Sequence, residues 1–187
     1  AADVTILALG RPRLDLERRE GVEHIAAFAP DVIINAAAYT AVDAAEHDSA
    51  RAFAINRDGA AWLAGIAAQR QIPFLHVSTD YVFDGTKSTA YVEDDAPNPQ
   101  CAYGRTKRAG EEAVLATYPA ALIFRTAWVY SAHGHNFLKT MLRLAAEREM
   151  LQVVSDQIGN PTAACDLATV LLGIARGVAE PGVQPPR

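Results

Sequence analysis

The chain has 187 residues, of which half are hydrophobic and 21% are charged, and its formal net charge is −5. This length allows one domain with a sizeable core, and the acidic balance argues against non-specific binding to nucleic acid or anionic membranes. No apolar run approaches the length of a membrane span, and two cysteines fit neither a disulfide framework nor a zinc site. We therefore expect a cytoplasmic protein with no nucleic-acid or membrane partner.

Short apolar runs alternate with helix-like segments along the chain. Five runs predict buried strands, at 4–9, 32–34, 74–77, 121–125 and 151–154. Helical periods predict helices at 17–28, 42–46, 49–70, 103–118, 136–149 and 166–178. The proline-rich end, 181–187, is typical of a loop or linker. Because strands alternate with helices and are apolar throughout, we expect an α/β fold with a doubly wound parallel sheet, as a single domain over 1–187.

Polar or small residues follow three of the predicted strands. They occupy 35–40, 78–84 and 126–130. In open parallel sheets the ligand binds beyond the carboxyl ends of the strands. The pattern therefore predicts one site along that edge of the sheet.

Tyr103 and Lys107 lie four residues apart at the start of a predicted helix, so their side chains share one face. An ammonium beside a phenol favours the phenolate, and we expect it to lower the pKa of Tyr103. Tyr103 would then suit a proton donor or acceptor near neutral pH. The spacing also arises by chance in many helices, so its meaning depends on the residues around it.

Other residues at the strand ends each allow two interpretations. The run Ala36-Ala37-Ala38 either admits a flat ligand close to the backbone or forms a tight packing corner. Asp15 either meets a ribose or adenine group or caps the helix that follows it. Ser78 and Thr79 either donate to a carbonyl oxygen or satisfy the loop backbone. Trp128 packs either on a ligand or in the core.

Some chemistries are disfavoured by what the sequence omits. Ser78 lacks the Gly-x-Ser-x-Gly turn of serine hydrolases. His133 and His135 have no nearby acidic or cysteine ligand, so we expect no metal. No glycine-rich phosphate loop occurs, and in a dinucleotide fold such a loop follows the first strand. If the chain has that fold, we expect its first strand and phosphate loop to precede Ala1.

Taken together, five stretches resemble the extended short-chain dehydrogenase/reductases and, within them, the dTDP-4-dehydrorhamnose reductase family. They are 31–43, 77–85 (Val-Ser-Thr-Asp-Tyr-Val-Phe-Asp-Gly), 103–107 (Tyr-Gly-Arg-Thr-Lys), 125–130 and 156–162. The resemblance implies a Rossmann-like domain without its first strand, its glycine-rich loop and most of its C-terminal substrate region. Residues 126–187 would lead into the substrate-binding part.

The resemblance also implies an activity, the reduction of the 4-keto group of dTDP-4-dehydro-L-rhamnose by NADPH or NADH. This reaction makes dTDP-L-rhamnose for cell-surface polysaccharides. Tyr103 would protonate the developing alkoxide, Lys107 would hold the nicotinamide ribose, and Thr79 would hydrogen-bond the reacting oxygen. Further cofactor contacts would be Asp15, Leu16, Asn35, Ala37, Ala38 and Tyr39, and further substrate contacts Asp80 and Trp128.

Two other functions stay open. One is a non-catalytic NADP-binding regulatory subunit, like the relative that partners methionine adenosyltransferase. The other is a nucleotide-sugar epimerase or dehydratase of the same superfamily. The set Thr79, Tyr103 and Lys107 favours an enzyme, and Tyr81 stands where a dehydratase usually has glutamate. The expected partner is a nucleotide-sugar substrate, with a homodimer as the assembly to test.

Overall fold

The computed structural model describes residues 4–179, and in that range the main sheet has three parallel strands in the order β1-β2-β3. These strands are β1 (Ile33–Asn35), β2 (Phe74–Thr79) and β3 (Leu122–Thr126). Asn35 lies opposite His76, and Thr79 lies opposite Thr126. Because the strands are parallel, their carboxyl ends share one edge of the sheet.

Within residues 4–179 the chain forms six α-helices. They are α1 (Val22–Phe28), α2 (Ser49–Phe53), α3 (Ala60–Arg70), α4 (Ala102–Thr117), α5 (Phe137–Glu147) and α6 (Ala164–Ala179). A π-helical turn, Ala54–Gly59, joins α2 to α3, so the helix predicted over 49–70 is continuous. A second, two-stranded parallel sheet pairs β4 (Val129–Tyr130) with β5 (Thr162–Ala163). None of the helices described is both long and apolar enough to span a membrane.

Helices cover both faces of the main sheet. On one face Phe74 packs in a cluster with Leu63 of α3 and Val114 of α4. On the other face Leu75 packs with Leu171 and Ala175 of α6. Successive residues of a strand point to opposite faces, so β2 is buried on both sides, including its polar residues His76 and Ser78. The predicted doubly wound α/β fold is confirmed.

Two of the predicted strands are wrong. Residues 4–9 and 151–154 form no strand, and their apolar side chains are largely exposed, as in Ile6 (67%) and Val154 (65%). An apolar run becomes a strand only when a neighbour accepts and donates its backbone hydrogen bonds. No strand among residues 4–179 pairs with either segment.

The helix predictions differ from the structure mainly near the N-terminus. The helix predicted over 17–28 begins only at Val22, because Asp15 and Glu20 exchange backbone hydrogen bonds of 3.0 and 3.1 Å around a turn. The segment predicted over 42–46 is a single 3₁₀ turn, Ala44–Glu46. The last three predicted helices agree with α4, α5 and α6 to within about two residues at each end. The loop predicted at 181–187 lies outside the described residues.

Helix α4 approaches the rest of the fold through glycine. A Cβ placed on Gly110 would overlap the carbonyl oxygen of Asn56 in the π-helical turn. The absent side chain therefore lets α4 lie directly against that turn. This close contact fixes the depth of α4 over the sheet.

We expect Gly110→Ala to lower the free energy of unfolding by about 2 kcal/mol, because the added methyl group forces α4 away from the Asn56 carbonyl. Gly173→Ala in α6 is the matched control, since its Cβ would meet no atom within 4 Å. That substitution should raise stability by about 0.5–1 kcal/mol through helix propensity alone. Urea unfolding followed by circular dichroism measures both, and equal effects at the two positions would contradict the packing argument.

Candidate active site

The first turn of α4 lies at the carboxyl end of β2. Cys101 caps the helix, since its Sγ accepts a hydrogen bond of 3.3 Å from the Gly104 N–H. The carboxylate of Glu46 accepts a second hydrogen bond, of 2.6 Å, from the Ala102 N–H. A Cβ on Gly104 would overlap the carbonyl oxygen of Tyr81, so glycine allows the helix to start against the turn after β2. Tyr103 is thereby brought to the end of that strand.

Tyr103 and Thr79 meet at this point. Both are buried, with 9% and 6% of their surfaces exposed. The Thr79 hydroxyl donates to Asp80 Oδ1 at 3.1 Å and accepts from the Tyr81 N–H at 3.3 Å. The ring of Tyr81 stands edge-on to that of Tyr103, with 5.6 Å between centroids. A phenol and a secondary hydroxyl thus lie together at a strand end, and the roles predicted for them stay predictions.

The expected lowering of the Tyr103 pKa is wrong for this structure. Burial raises the pKa of Tyr103, contact with the Thr79 hydroxyl opposes this in part, and the negative charge of Asp80 adds to the increase. The ammonium of Lys107 is not among the groups that shift it. The phenol is therefore protonated at neutral pH, which is the form a proton donor needs.

Lys107 lies one helical turn beyond Tyr103 and points at the sheet. Its Nζ donates a hydrogen bond of 2.7 Å to the carbonyl oxygen of Val77, and its surface is 1% exposed. Burial lowers the pKa of Lys107 to about 8, while the negative charge of Glu111 opposes the decrease. The side chain is thus a buried cation beneath the edge where the strands end.

The predicted substrate contacts lie beside this centre. Asp80 follows Thr79 directly, and burial raises the pKa of its carboxyl group. Trp128 is 45% exposed and has a left-handed backbone (φ 48°), with its indole packed against Gly159. Trp128 is therefore not a core residue. The substrate roles of Asp80 and Trp128 stay predictions.

The turn after β1 forms the other side of the edge. The Asn35 side chain accepts from the Ala37 N–H at 3.1 Å, and its Nδ2 lies 3.0 Å from Nδ1 of His76. Ala37 is exposed and Ala38 half-buried, so their small side chains leave the backbone open. The backbone N–H and carbonyl of Tyr39 are both hydrogen-bonded by one amide side chain, that of Asn56, at 2.8 and 3.1 Å. The alanine corner is thus both held in place and open to a ligand.

Asp15 and Leu16 have local partners. Asp15 Oδ1 accepts from the N–H groups of Glu17 and Arg18 at 2.9 and 3.3 Å, which closes the turn before α1. Since α1 begins only at Val22, the alternative of a helix cap at Asp15 is wrong. Leu16 is 7% exposed and belongs to the core cluster. The cofactor contacts predicted for both residues stay predictions.

Known proteins resemble the chain over nearly its whole length. A family model described as the RmlD substrate binding domain matches residues 1–184. The chain belongs to this family. It is 51% identical to a dTDP-4-dehydrorhamnose reductase of Sinorhizobium fredii over 93% of the chain and 59% of that relative. It is 48% identical to the protein of the same name from Aggregatibacter actinomycetemcomitans, over 92% of the chain and 59% of that relative.

Solved structures of the same family share the fold. The dTDP-4-dehydrorhamnose reductase of Bacillus anthracis, solved in complex with NADP, superposes with a TM-score of 0.86 at 38% identity. The match covers 90% of this chain and 60% of that one. The chain therefore spans about 59% of the length of the curated relatives named above.

Three residues that hold the site together were not predicted from the sequence, namely Asn56, Glu111 and Arg125. Asn56 donates to Tyr39 and to Thr106 Oγ1, at 2.9 Å for the latter, and so ties the alanine corner to α4. Glu111 is 1% exposed and receives two hydrogen bonds from Arg125. The sequence did contain a signal for two of them. Asn56 and Glu111 are polar residues at helical spacings where the other residues are buried.

His76 lies fully buried in the middle of β2. Burial lowers its pKa to about 3, and the nearby Lys107 ammonium lowers it further. An unfolded histidine has a pKa near 6.5, so the unfolded state binds more protons between about pH 3 and pH 6.5. Stability contributed by His76 is therefore lost as the pH falls through that window.

We expect wild-type protein to lose about 2 kcal/mol more stability than His76→Gln between pH 7 and pH 5, because only the wild type must keep a buried imidazole neutral. Urea unfolding at the two pH values measures the difference. His135→Asn is the control, since His135 is exposed. An equal pH dependence in His76→Gln and wild type would contradict the assignment to His76.

Proposed function

We propose that the intact protein reduces the 4-keto group of dTDP-4-dehydro-L-rhamnose with NADPH or NADH to give dTDP-L-rhamnose, in the cytoplasm. The observation that carries the proposal is the junction of α4 with the end of β2. There the phenol of Tyr103 meets the hydroxyl of Thr79, with the ammonium of Lys107 one turn behind. The names of the relatives, at 48–51% identity, support the choice of substrate.

In this proposal Thr79 and Tyr103 hold the oxygen of the ketone. Tyr103 can donate its O–H to it, and Thr79 can do so when its single O–H turns from Asp80 Oδ1 to the ketone. As negative charge develops on that oxygen, Tyr103 donates its proton and yields the alcohol. The raised pKa of Tyr103 suits this direction, because a protonated phenol is required at the start.

The residues at the sheet edge fit a nicotinamide nucleotide, which would supply the hydride when bound. Lys107 uses one of its three N–H donors on Val77, and two remain for ribose hydroxyls. The exposed Ala37 and half-buried Ala38 leave the backbone accessible to a flat ring. Asn35 and Tyr39 would keep this corner in shape, with Asp15 and Leu16 on the adenosine side. The Bacillus anthracis relative, whose structure contains NADP, supports the cofactor class.

The test is reduction of the dTDP-4-keto sugar by intact protein with NADPH and with NADH, followed by the absorbance of the cofactor. Tyr103→Phe should lower kcat at least ~100-fold, since it removes the proton donor but keeps the ring. Tyr118→Phe, at the far end of α4, should leave kcat unchanged. No turnover by the wild type, or full turnover by Tyr103→Phe, would refute the proposal. Tightly retained, non-exchanging NAD would favour an epimerase instead.

A further inference from the structure

The polar groups beside Lys107 come from β2 and from α4 itself. From β2, Lys107 meets the Val77 carbonyl and the ring of His76, which is neutral at pH 7. On its own helix, Tyr103 lies one turn before Lys107 and Glu111 one turn after it, and Glu111, like Lys107, is 1% exposed. Glu111 is the carboxylate whose charge acts on Lys107.

Glu111 is held in a fixed position. Arg125 of β3 donates from Nε to Oε1 at 2.9 Å and from Nη2 to Oε2 at 2.7 Å. Arg108, one turn earlier on α4, donates to Oε2 at 3.1 Å. A two-point guanidinium–carboxylate contact sets both distance and orientation. The carboxylate therefore cannot move without breaking its two hydrogen bonds to Arg125 of the sheet.

Arg125 is itself oriented by a third element. Its guanidinium lies 4.9 Å from the ring centroid of Phe83, in the loop after β2. In the sheet register Arg125 is paired with Ser78, next to Val77, whose carbonyl binds Lys107. Arg125 and the Val77 carbonyl that binds Lys107 thus lie on neighbouring strands, one register position apart.

A buried ion pair of this kind is weak grounds for stability, because desolvation offsets the attraction. Beside a buried lysine, however, such a pair holds a negative charge in a fixed position. We propose that Glu111, held by Arg125 one helical turn from Lys107, is a positioning residue that keeps Lys107 protonated during the reduction. The role of Lys107 in the reduction rests on the proposed function. The effect of Glu111 on the charge of Lys107 does not, because it can be measured without substrate or cofactor.

The direction in which Glu111 shifts the pKa of Lys107 follows from two opposing influences, burial and the carboxylate charge. Burial disfavours the ammonium, and the Glu111 carboxylate favours it. With both present the pKa of Lys107 is about 8, so the ammonium predominates at pH 7. Without the carboxylate, burial acts unopposed and the neutral amine gains population near neutral pH.

The experiment is a pH titration of the cofactor-free protein with ¹³C-labelled lysine, read at the Cε of Lys107 by NMR. The signal is assigned by its loss in Lys107→Arg. Glu111→Gln, which keeps the shape and removes the charge, should lower the titration midpoint by about one pKa unit or more. Glu112→Gln is the matched control, since Glu112 pairs with Arg108 from a 60% exposed position on the same helix. It should leave the midpoint in place.

An unchanged Lys107 midpoint in folded Glu111→Gln would overturn the proposal, and so would an equal fall in Glu112→Gln. If Glu111→Gln does not fold, Glu111→Asp decides the question. Its carboxylate is one methylene shorter and so more distant from Lys107, and a smaller fall of the same sign is expected. No fall in that variant would count against the proposal.

Kinetics of the intact protein separate this proposal from the proposed function. The alkaline limb of kcat/KM should move to lower pH in Glu111→Gln by the same amount as the Lys107 midpoint. If the wild type is active and the alkaline limb of kcat/KM lies at the same pH in Glu111→Gln, the positioning role is overturned. An inactive wild type with the NMR shift present would refute the reductase function and leave the coupling of Glu111 to Lys107 intact.

Discussion

The structure depends on the burial of a polar helix face against a parallel sheet. Helix α4 places Tyr103, Lys107 and Glu111 against β2 and β3, where nearly all of their surface is lost to solvent. Burying an unpaired charge in this way would be prohibitive. Each polar group therefore has a specific partner: Thr79 for the phenol, the Val77 carbonyl for the ammonium and Arg125 for the carboxylate. These partners fix how α4 lies on the sheet, and α4 in turn fixes the site.

Close backbone contacts make this arrangement sterically feasible. Gly104 and Gly110 let α4 touch the turn after β2 and the π-helical turn between α2 and α3. The same π-helical turn carries Asn56, whose amide bonds both to the backbone of Tyr39 and to Thr106 of α4. π-helical turns are frequent at functional sites because they redirect a side chain out of the regular helical register. Here the redirected side chain joins the two sides of the candidate site.

Much of the candidate site could be predicted from local spacing. Polar residues follow apolar runs at 35–40 and 78–84, and parallel strands bring such ends together. The helix containing Tyr103 and Lys107 was also predicted to within about two residues. The environment of these residues was not predictable in the same way. The pKa of Tyr103 is raised by burial, and burial depends on which segments pack over the phenol.

The wrong strands at 4–9 and 151–154 have the same origin. Their composition satisfies the requirement for a buried strand, but a strand also needs hydrogen-bonding neighbours, which composition does not record. The sequence by itself determined the α/β class, the order of the main helices and strands, and the edge where the reactive groups gather, because these follow from local periodicity. Only the tertiary structure decided which groups are charged, which are buried and which are paired. The Glu111–Arg125 contact joins residues 14 positions apart on different elements, and its existence depends on how α4 packs against β3.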